Sequence, residues 1–200
     1  VHTLGSLPRE SICFCIYWIT QIVLDNRDRL QLTLNRVLSF LSRILLSEDK
    51  PNTITNMAGR GLLRLVVRLS HKSKLIDTLL DSLLIFTTIP TYPRMDLNEK
   101  RMTVTPIVGN ALAGFVGTAV ATLVKLNAAN ITAPIAWRDL FAILNTCAKY
   151  EVSCRDGFAA LSFLLLDPHM RACVPLTVTS TVVAYASSSH GDSQRKADQN

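Results

Sequence analysis

The longest stretch of the chain without a charged residue runs from Met102 to Val124, between Arg101 and Lys125. Its length would allow a helix to cross the hydrocarbon core of a membrane, which needs about 20 apolar residues. The stretch is rich in Thr, Ala, Gly and Val, however, and Pro106 shortens any helix that forms there. A central helix of a helical protein, buried on most of its circumference, explains the same composition. We favour this interpretation and keep a membrane-spanning helix over 102–124 as the alternative.

The composition is more hydrophobic than that of an average soluble domain. Hydrophobic residues make up 48% of the 200 residues and charged residues 18%, and the mean hydropathy is +0.27. A soluble chain of this kind must hide much of its surface against neighbouring segments. The chain starts at Val1 without a basic-then-apolar signal pattern. We therefore expect a segment of a longer protein.

Apolar residues recur at helical spacing in eight segments that are separated by polar or proline-containing breaks. The predicted helices cover about 11–24, 30–45, 55–70, 73–89, the shortened 102–124 stretch, 134–150, 158–165 and 173–186. They form four pairs that repeat about every 40 residues, a period typical of HEAT and armadillo arrays. The sequence therefore predicts an all-α fold, a right-handed α-solenoid of stacked helix pairs with about eight helices and no strands.

The domain prediction is a single helical-repeat segment over 1–187. An exposed loop is expected at about 90–103, because this is the longest break in the helical pattern. The polar residues 188–200 are expected to form a disordered tail. The β-branched residues of 173–186 favour a strand by local propensity. No partner strand is evident, so a final helix fits the whole better.

The corner between the fifth and sixth helices carries several helix-ending signals. Asn127 and Asn130 can bond to the backbone and tolerate left-handed dihedrals, which suits the end of a helix. Pro134 suits the first turn of the next helix, and Thr132 is expected to cap it. Trp137 begins an apolar face at helical spacing and is predicted to be a core anchor.

Three more local features give testable expectations. The first helix is apolar almost all round and is expected to be buried. Asn26 or Asp28 is expected to cap the second helix. A break is expected at 151–157, with Ser153 capping the seventh helix that follows.

The cysteines argue against a disulfide framework or a zinc site. Their number is odd, they form no CxxC pair, and the four histidines do not cluster with them. Buried, reduced thiols in a cytosolic protein are therefore expected. The cysteines are Cys13, Cys15, Cys147, Cys154 and Cys173.

Catalytic motifs are missing from the sequence. It contains no nucleophile elbow and no HExxH motif. The glycine-rich run GNALAGFVG lacks the preceding strand and the following Lys-Ser/Thr of a phosphate loop, so helix packing explains its glycines better. We predict no catalytic, cofactor-binding or metal-binding residues.

A basic stripe marks the third predicted helix. Arg60, Arg64 and Arg68 recur every four residues, and Lys72 and Lys74 extend the stripe. It could contact anionic lipid or an acidic protein surface. A solvated face, or pairing with acids on a neighbouring helix, is the interpretation that the residues alone favour, because exposed basic stripes are common. Nucleic-acid binding is not expected despite the net charge of +6, because no run of five basic residues occurs and aromatic residues are only 6%.

Four motifs are spread over about 160 residues of the chain. They are Asn26-Arg27-Asp28-Arg29, Gly61-Leu62-Leu63-Arg64-Leu65 with Arg68-Leu69, Asn127-Ala128-Ala129-Asn130-Ile131 followed by Trp137, and Gly157-Phe158-Ala159-Ala160-Leu161-Ser162-Phe163. In their order and spacing these motifs resemble the large Golgi and endosomal Arf guanine-nucleotide exchange factors, most closely the GNOM-like class of plants.

The resemblance implies the helical region downstream of the Sec-seven catalytic domain. In that family this region is a non-catalytic scaffold that regulates exchange on Arf and helps recruit the protein to Golgi or endosomal membranes in vesicle transport. The invariant glutamate loop of the catalytic domain has no counterpart here. The resemblance therefore implies a cytosolic protein that associates peripherally with those membranes.

The implied partners are other helical domains of the same protein, an Arf-family GTPase through the parent protein, and an anionic membrane. A homodimer is left open. The expected contact residues are Arg60, Arg64, Arg68, Lys72 and Lys74. The alternatives are an integral membrane protein that spans with 102–124 and a HEAT-type adaptor unrelated to Arf.

Overall fold

The computed structural model describes residues 8–26, 30–47, 52–88, 94–95, 102–103 and 110–188. The helices in these ranges are α1 Arg9–Asp25, α2 Leu30–Leu45, α3 Asn52–Leu69, α4 Ile76–Leu83, α5 Ile85–Thr88, α6 Asn110–Asn127, α7 Pro134–Cys147, α8 Glu151–Leu166, α9 Pro168–Arg171 and α10 Val178–Ala186. Two 3-10 turns lie at Ser73–Leu75 and Ala128–Asn130. Two short antiparallel strands, β1 Arg94–Met95 and β2 Met102–Thr103, pair with each other.

The helices pack in two layers. One layer contains α1, α3, α6 and α8, each packed on the next, and the other contains α2, α4, α7 and α10 in the same order. Successive helices therefore form four stacked pairs, and neighbouring pairs bury their apolar faces against each other. The predicted all-α fold of stacked pairs is confirmed. The prediction of no strands is wrong at β1 and β2, which lie inside the expected loop.

Helix α6 lies in the middle of its layer, between α3 and α8, and also contacts α4 and α7. The segment Leu112–Asn130, which contains most of α6 and the 3-10 turn after it, is long and apolar enough to cross a membrane by length and composition, and 56% of it is buried within the protein. The helix begins at Asn110, later than the predicted stretch, and residues 104–109 lie outside the described ranges. The central position agrees with the interpretation that this helix belongs to the core.

Two helix boundaries differ from the prediction. The predicted helix 73–89 is broken at Leu84, where a tighter turn follows because Thr87 N–H donates to the Leu84 carbonyl at 2.9 Å. The expected break at 151–157 is helical from Glu151 onward. Ser153 therefore lies inside α8 and not at its cap, and its hydroxyl donates to the Cys147 carbonyl at 2.9 Å.

The corner after α6 is tied to the end of α3. Asn127 is buried and donates its side-chain amide to the Ser70 carbonyl. Its φ is −140°, so it does not use the left-handed region that the sequence allowed. Thr132 does not cap α7, because the cap position is Ala133 and makes no side-chain cap bond. Pro134 occupies the first turn as predicted.

Trp137 is the core anchor that the sequence predicted. Its side chain is 5% exposed. Its ring stacks on Phe141 with the ring centroids 5.8 Å apart. The predicted final helix is also present, as α10. The tail from residue 189 lies outside the described residues.

Asn26 and the thiols behave differently from expectation. Asn26 ends α1 instead of starting α2, because its backbone N–H and its side-chain amide both donate to the Ile22 carbonyl; Asp28 lies outside the described residues. All five cysteines are free, but only Cys147 is buried, and Cys15 and Cys173 are exposed. The expectation that every thiol is buried is therefore wrong.

Candidate interaction surface

The predicted basic stripe lies on the outer face of α3. Arg60 and Arg68 are exposed and Arg64 is half-buried. The opposite face of the helix carries Leu62 and Val66, which are fully buried. Because the apolar side of α3 packs into the core, the arginines necessarily point outward.

Arg64 connects α3 to α1. Its guanidinium carbon lies 5.8 Å from the centroid of the Tyr17 ring, a distance at which a cation is attracted to the ring face. The Arg64 Nη2 group donates to Gln21 Oε1 at 2.9 Å. Gln21 in turn donates to Asp25 Oδ1 at 2.8 Å. A chain of hydrogen bonds therefore extends from Arg64 along one side of α1 to Asp25.

Arg60 makes the equivalent contact on the other side of α3. Its guanidinium carbon lies 5.8 Å from the centroid of the Phe115 ring on α6. The sequence had left open that the arginines pair with acids. In the structure Arg60 and Arg64 face aromatic rings of the two flanking helices instead.

The remaining predicted contact residues lie further along. Arg68 is exposed near the end of α3. Lys72 is half-buried and its carbonyl accepts a bond from the Leu75 N–H at 2.9 Å. Lys74 is exposed in the 3-10 turn that follows. The five predicted residues thus form two parts: Arg60 and Arg64 lie beside aromatic rings, and the other three lie at and beyond the end of α3.

Sequence reasoning missed the exposed aromatic residues beside this stripe. Tyr17 and Trp18 are 47% and 46% exposed, and Phe14 is 64% exposed. The Trp18 ring centroid lies 5.9 Å from those of Phe14 and Tyr17. The expectation of a buried first helix is therefore wrong for one of its sides. The four-residue spacing of Phe14, Trp18 and Ile22, separate from that of Ile16 and Thr20, was the available signal.

Buried titratable groups occur at the other end of the array. The Cys147 thiol is buried, which raises its pKa to about 12 against the lowering effect of the Ser153 hydrogen bond. Burial also raises the pKa of Tyr185, whose hydroxyl donates to the Leu144 carbonyl at 3.0 Å. Both groups stay neutral at physiological pH, so neither can act as an anionic nucleophile there.

No other chemical centre stands out in the part of the chain that the structure describes. It contains no group of three His, Cys, Asp or Glu side chains placed to hold a metal ion. A groove of about 590 Å³ lies between α2 and α4 and mixes Arg43 and Asp81 with amide and hydroxyl groups. The aromatic and basic residues on α1, α3 and α6 are the candidate surface.

Comparison with known proteins identifies relatives over most of the chain. It is 28% identical to the ARF guanine-nucleotide exchange factor GNOM of Arabidopsis thaliana over 188 residues, which is 93% of the chain and 12% of GNOM. It is 28% identical to the ARF guanine-nucleotide exchange factor GNL1 of the same plant over 158 residues, 78% of the chain and 10% of GNL1. No family model matches the chain, and no solved structure matches it.

The chain is an all-α array of stacked helix pairs. It is similar over most of its length to GNOM-like Arf guanine-nucleotide exchange factors, which confirms the resemblance predicted from its motifs. It spans only about a tenth of the length of these relatives.

Proposed function

We propose that the chain is a helical scaffold of an Arf guanine-nucleotide exchange factor that acts in vesicle transport at Golgi or endosomal membranes. The observation that carries this proposal is the similarity to GNOM, an ARF guanine-nucleotide exchange factor, over 93% of the chain. The Arf-family GTPase is the partner of the whole protein. Because the chain spans 12% of the length of GNOM, exchange itself is assigned to another part of the polypeptide.

The segment acts as a non-catalytic, regulatory part. The sequence has no counterpart of the glutamate loop that exchange domains of this class carry. Stacked helix pairs present extended surfaces to partners instead of enclosed reaction sites. The contribution of this segment is therefore positioning, through contacts with membrane and with other helical domains.

The basic stripe supports a peripheral contact with an anionic membrane. Arg68 and Lys74 are exposed and can approach lipid head groups, where each basic residue contributes about 1 kcal/mol. Arg60 and Arg64 are held beside half-exposed rings of Phe115 and Tyr17. Aromatic rings with a cationic neighbour suit the interface between water and hydrocarbon.

Two assays on the full-length protein and one reading of its gene test the proposal. Purified protein should accelerate fluorescent nucleotide release from an Arf-family GTPase, and its gene should encode a Sec-seven domain ahead of the present segment. Arg68→Glu with Lys74→Glu should reduce binding to liposomes that contain anionic lipid, because both side chains are exposed and their reversal leaves the core intact. Absence of exchange activity would remove the proposed function.

A charge-matched control separates a local contact from net charge. Arg36→Glu with Arg171→Glu changes the charge equally at exposed positions of α2 and α9. This variant should bind the same liposomes almost as well as the unmodified protein. Equal losses in the two variants would show that the stripe has no special role.

The membrane-spanning alternative keeps one specific observation, the apolar length of Leu112–Asn130. Alkaline carbonate extraction distinguishes the two cases. A peripheral scaffold is released into the supernatant, whereas a protein that spans the bilayer stays in the membrane pellet.

A further inference from the structure

Helix α1 has two apolar sides, and the described part of the chain buries one of them. Ile16 and Thr20 are buried on the side that faces α3. A Cβ atom added to Gly61 of α3 would lie 2.9 Å from Thr20 Oγ1 and 3.7 Å from Ile16 Cγ2. The two helices therefore approach so closely that a glycine is needed at the contact.

The second side carries Phe14, Trp18 and Ile22, which are spaced by four residues. At about 100° per residue these side chains lie half a turn from Ile16 and Thr20, and so point away from α3. They are 64%, 46% and 56% exposed. Large exposed apolar side chains in one row mark an interaction site.

The spacing specifies the shape of the partner. Side chains at every fourth position form a ridge that fits the groove of another helix. Within the array α6 covers α3, and α3 covers α1, in the same layer. The Phe14–Trp18–Ile22 ridge occupies the position where the next helix of that layer would stack.

The charges around the ridge narrow the choice of partner. Glu10 lies four residues before Phe14, and Asp25 lies three residues after Ile22, so a carboxylate flanks each end. Anionic lipid would be repelled by both groups. A second copy packed antiparallel on the same ridge would bring Glu10 against Asp25, which is also unfavourable. Basic residues on a partner helix would complement both ends.

We propose that the Phe14–Trp18–Ile22 ridge docks an amphipathic helix of a further helix pair in the same polypeptide, with basic residues flanking its apolar stripe. This inference rests on the proposed function, because the relatives extend far beyond the matched region: the chain spans 12% of GNOM. The docked helix runs along α1 from Glu10 to Asp25, a length of about 20 Å or close to four turns.

Photo-crosslinking in the full-length protein tests this assignment. The substitution Trp18→p-benzoylphenylalanine places a reactive ketone on the ridge. Irradiation is expected to join this position to a helical peptide of the same polypeptide outside residues 8–188, which mass spectrometry of the digest identifies. The matched control carries the same amino acid in place of Arg36, an exposed residue of α2 in the other layer, and should not capture that peptide.

Charge variants test the flanking residues. Glu10→Lys combined with Asp25→Lys is expected to lower the crosslink yield at low salt, and the loss should shrink in 1 M salt because the interaction is screened. Arg36→Glu, which leaves the ridge and its carboxylates unchanged, should leave the yield unchanged.

Several results would overturn the assignment. These are a crosslinked product of twice the mass from two copies, a lipid adduct, equal capture of the same peptide by the control position, or no crosslink at Trp18. Nucleotide exchange is measured on the same preparation. Loss of exchange with the crosslink retained contradicts the proposed function alone, whereas exchange without the crosslink contradicts the docking of this ridge alone.

Discussion

Helices α1 and α6 have similar sequences in one respect, since each is apolar around most of its circumference, yet the fold treats them differently. Helix α6 has neighbours on both sides within its layer, α3 and α8, and its Leu123 and Val124 are fully buried. Among the described helices of its layer, α1 has one neighbour, α3, and its Phe14 and Ile22 are more than half exposed. Position in the array, and not hydrophobicity, therefore decides which apolar residues form the core.

The two helices also differ in how closely a neighbouring helix approaches them. At α6 the contact with α8 is so close that a Cβ on Gly117 would lie 3.0 Å from the Ser153 carbonyl oxygen and 3.1 Å from its Cα. The open side of α1 carries Phe14 and Trp18 instead. Among the described residues, no other helix buries these two large side chains, which are 64% and 46% exposed. A small residue thus marks the filled contact between α6 and α8, whereas large aromatic side chains occupy the open side of α1.

Truncation of one aliphatic side chain in each helix tests the comparison with the largest expected effect. Leu123→Ala should lower the free energy of unfolding by about 2–5 kcal/mol, because it leaves a cavity in a fully buried site. In the 200-residue chain, Ile22→Ala should change it by at most about 0.5 kcal/mol, since that side chain is more than half exposed there. Urea denaturation followed by circular dichroism measures both. Similar losses in the two variants would mean that α1 is covered as completely as α6.

A glycine pair tests the close approach of α6 and α8. Gly117→Ala should cost about 1–3 kcal/mol, because its new methyl group meets the backbone of Ser153, which cannot move freely. Gly114→Ala is the matched control, since its nearest neighbour would be the Val152 carbonyl oxygen at 3.7 Å. There alanine should be neutral or stabilise the helix by up to about 1 kcal/mol. Thermal denaturation should show a lower melting temperature for Gly117→Ala and an equal or higher one for Gly114→Ala. A stabilising Gly117→Ala would refute the tight contact.

The packing of α10 on α7 and α8 extends the comparison to the far end of the array. Tyr185→Phe removes the hydrogen bond to the Leu144 carbonyl and should cost about 0.5–1.5 kcal/mol at neutral pH. Burial raises the pKa of both Tyr185 and Cys147 in the fold. Their neutral forms therefore stabilise the protein fully below the unfolded pKa values, and this contribution is lost as the pH rises.

For Cys147 the loss should fall between about pH 9 and 12. The Tyr185→Phe variant should lose less stability than the unmodified protein across the alkaline range, because one titrating group is gone. Chemical denaturation at a series of pH values measures the difference. Parallel curves for the two proteins would show that Tyr185 is not protected from ionisation by burial.

The smallest expected effect concerns the arginines that link α3 to its neighbours. A double-mutant cycle of Tyr17→Leu with Arg64→Met should give a coupling energy of about 0.5–1 kcal/mol, as expected for an exposed cation–ring contact. The cycle of Phe115→Leu with Arg60→Met is the matched comparison, because both guanidinium carbons lie 5.8 Å from their ring centroids. A coupling energy near zero in both cycles would show that the arginines lie near the rings without stabilising the fold.

Much of the helical architecture could be predicted from local sequence signals. The four-residue spacing of apolar residues, and Pro134 at the start of α7, report backbone states that neighbouring residues decide. Caps were predicted less well. Thr132 and Ser153 were expected to cap helices, but Ala133 occupies the cap position of α7. Ser153 lies inside α8, where its hydroxyl donates to the Cys147 carbonyl at the end of the preceding helix. Hydrogen bonds between helices, such as the one from Ser153 to Cys147, depend on how the two helices are placed in the fold.

The candidate surface divides in the same way. The sequence by itself determined that Arg60, Arg64 and Arg68 share one face of a helix, since a four-residue repeat places side chains together on any α-helix. Only the tertiary structure decided that Arg60 and Arg64 lie beside aromatic rings, that Asn127 bonds to Ser70, and that one side of α1 is open. The physical reason is that helical periodicity is a local property, whereas burial depends on which helices stack beside it.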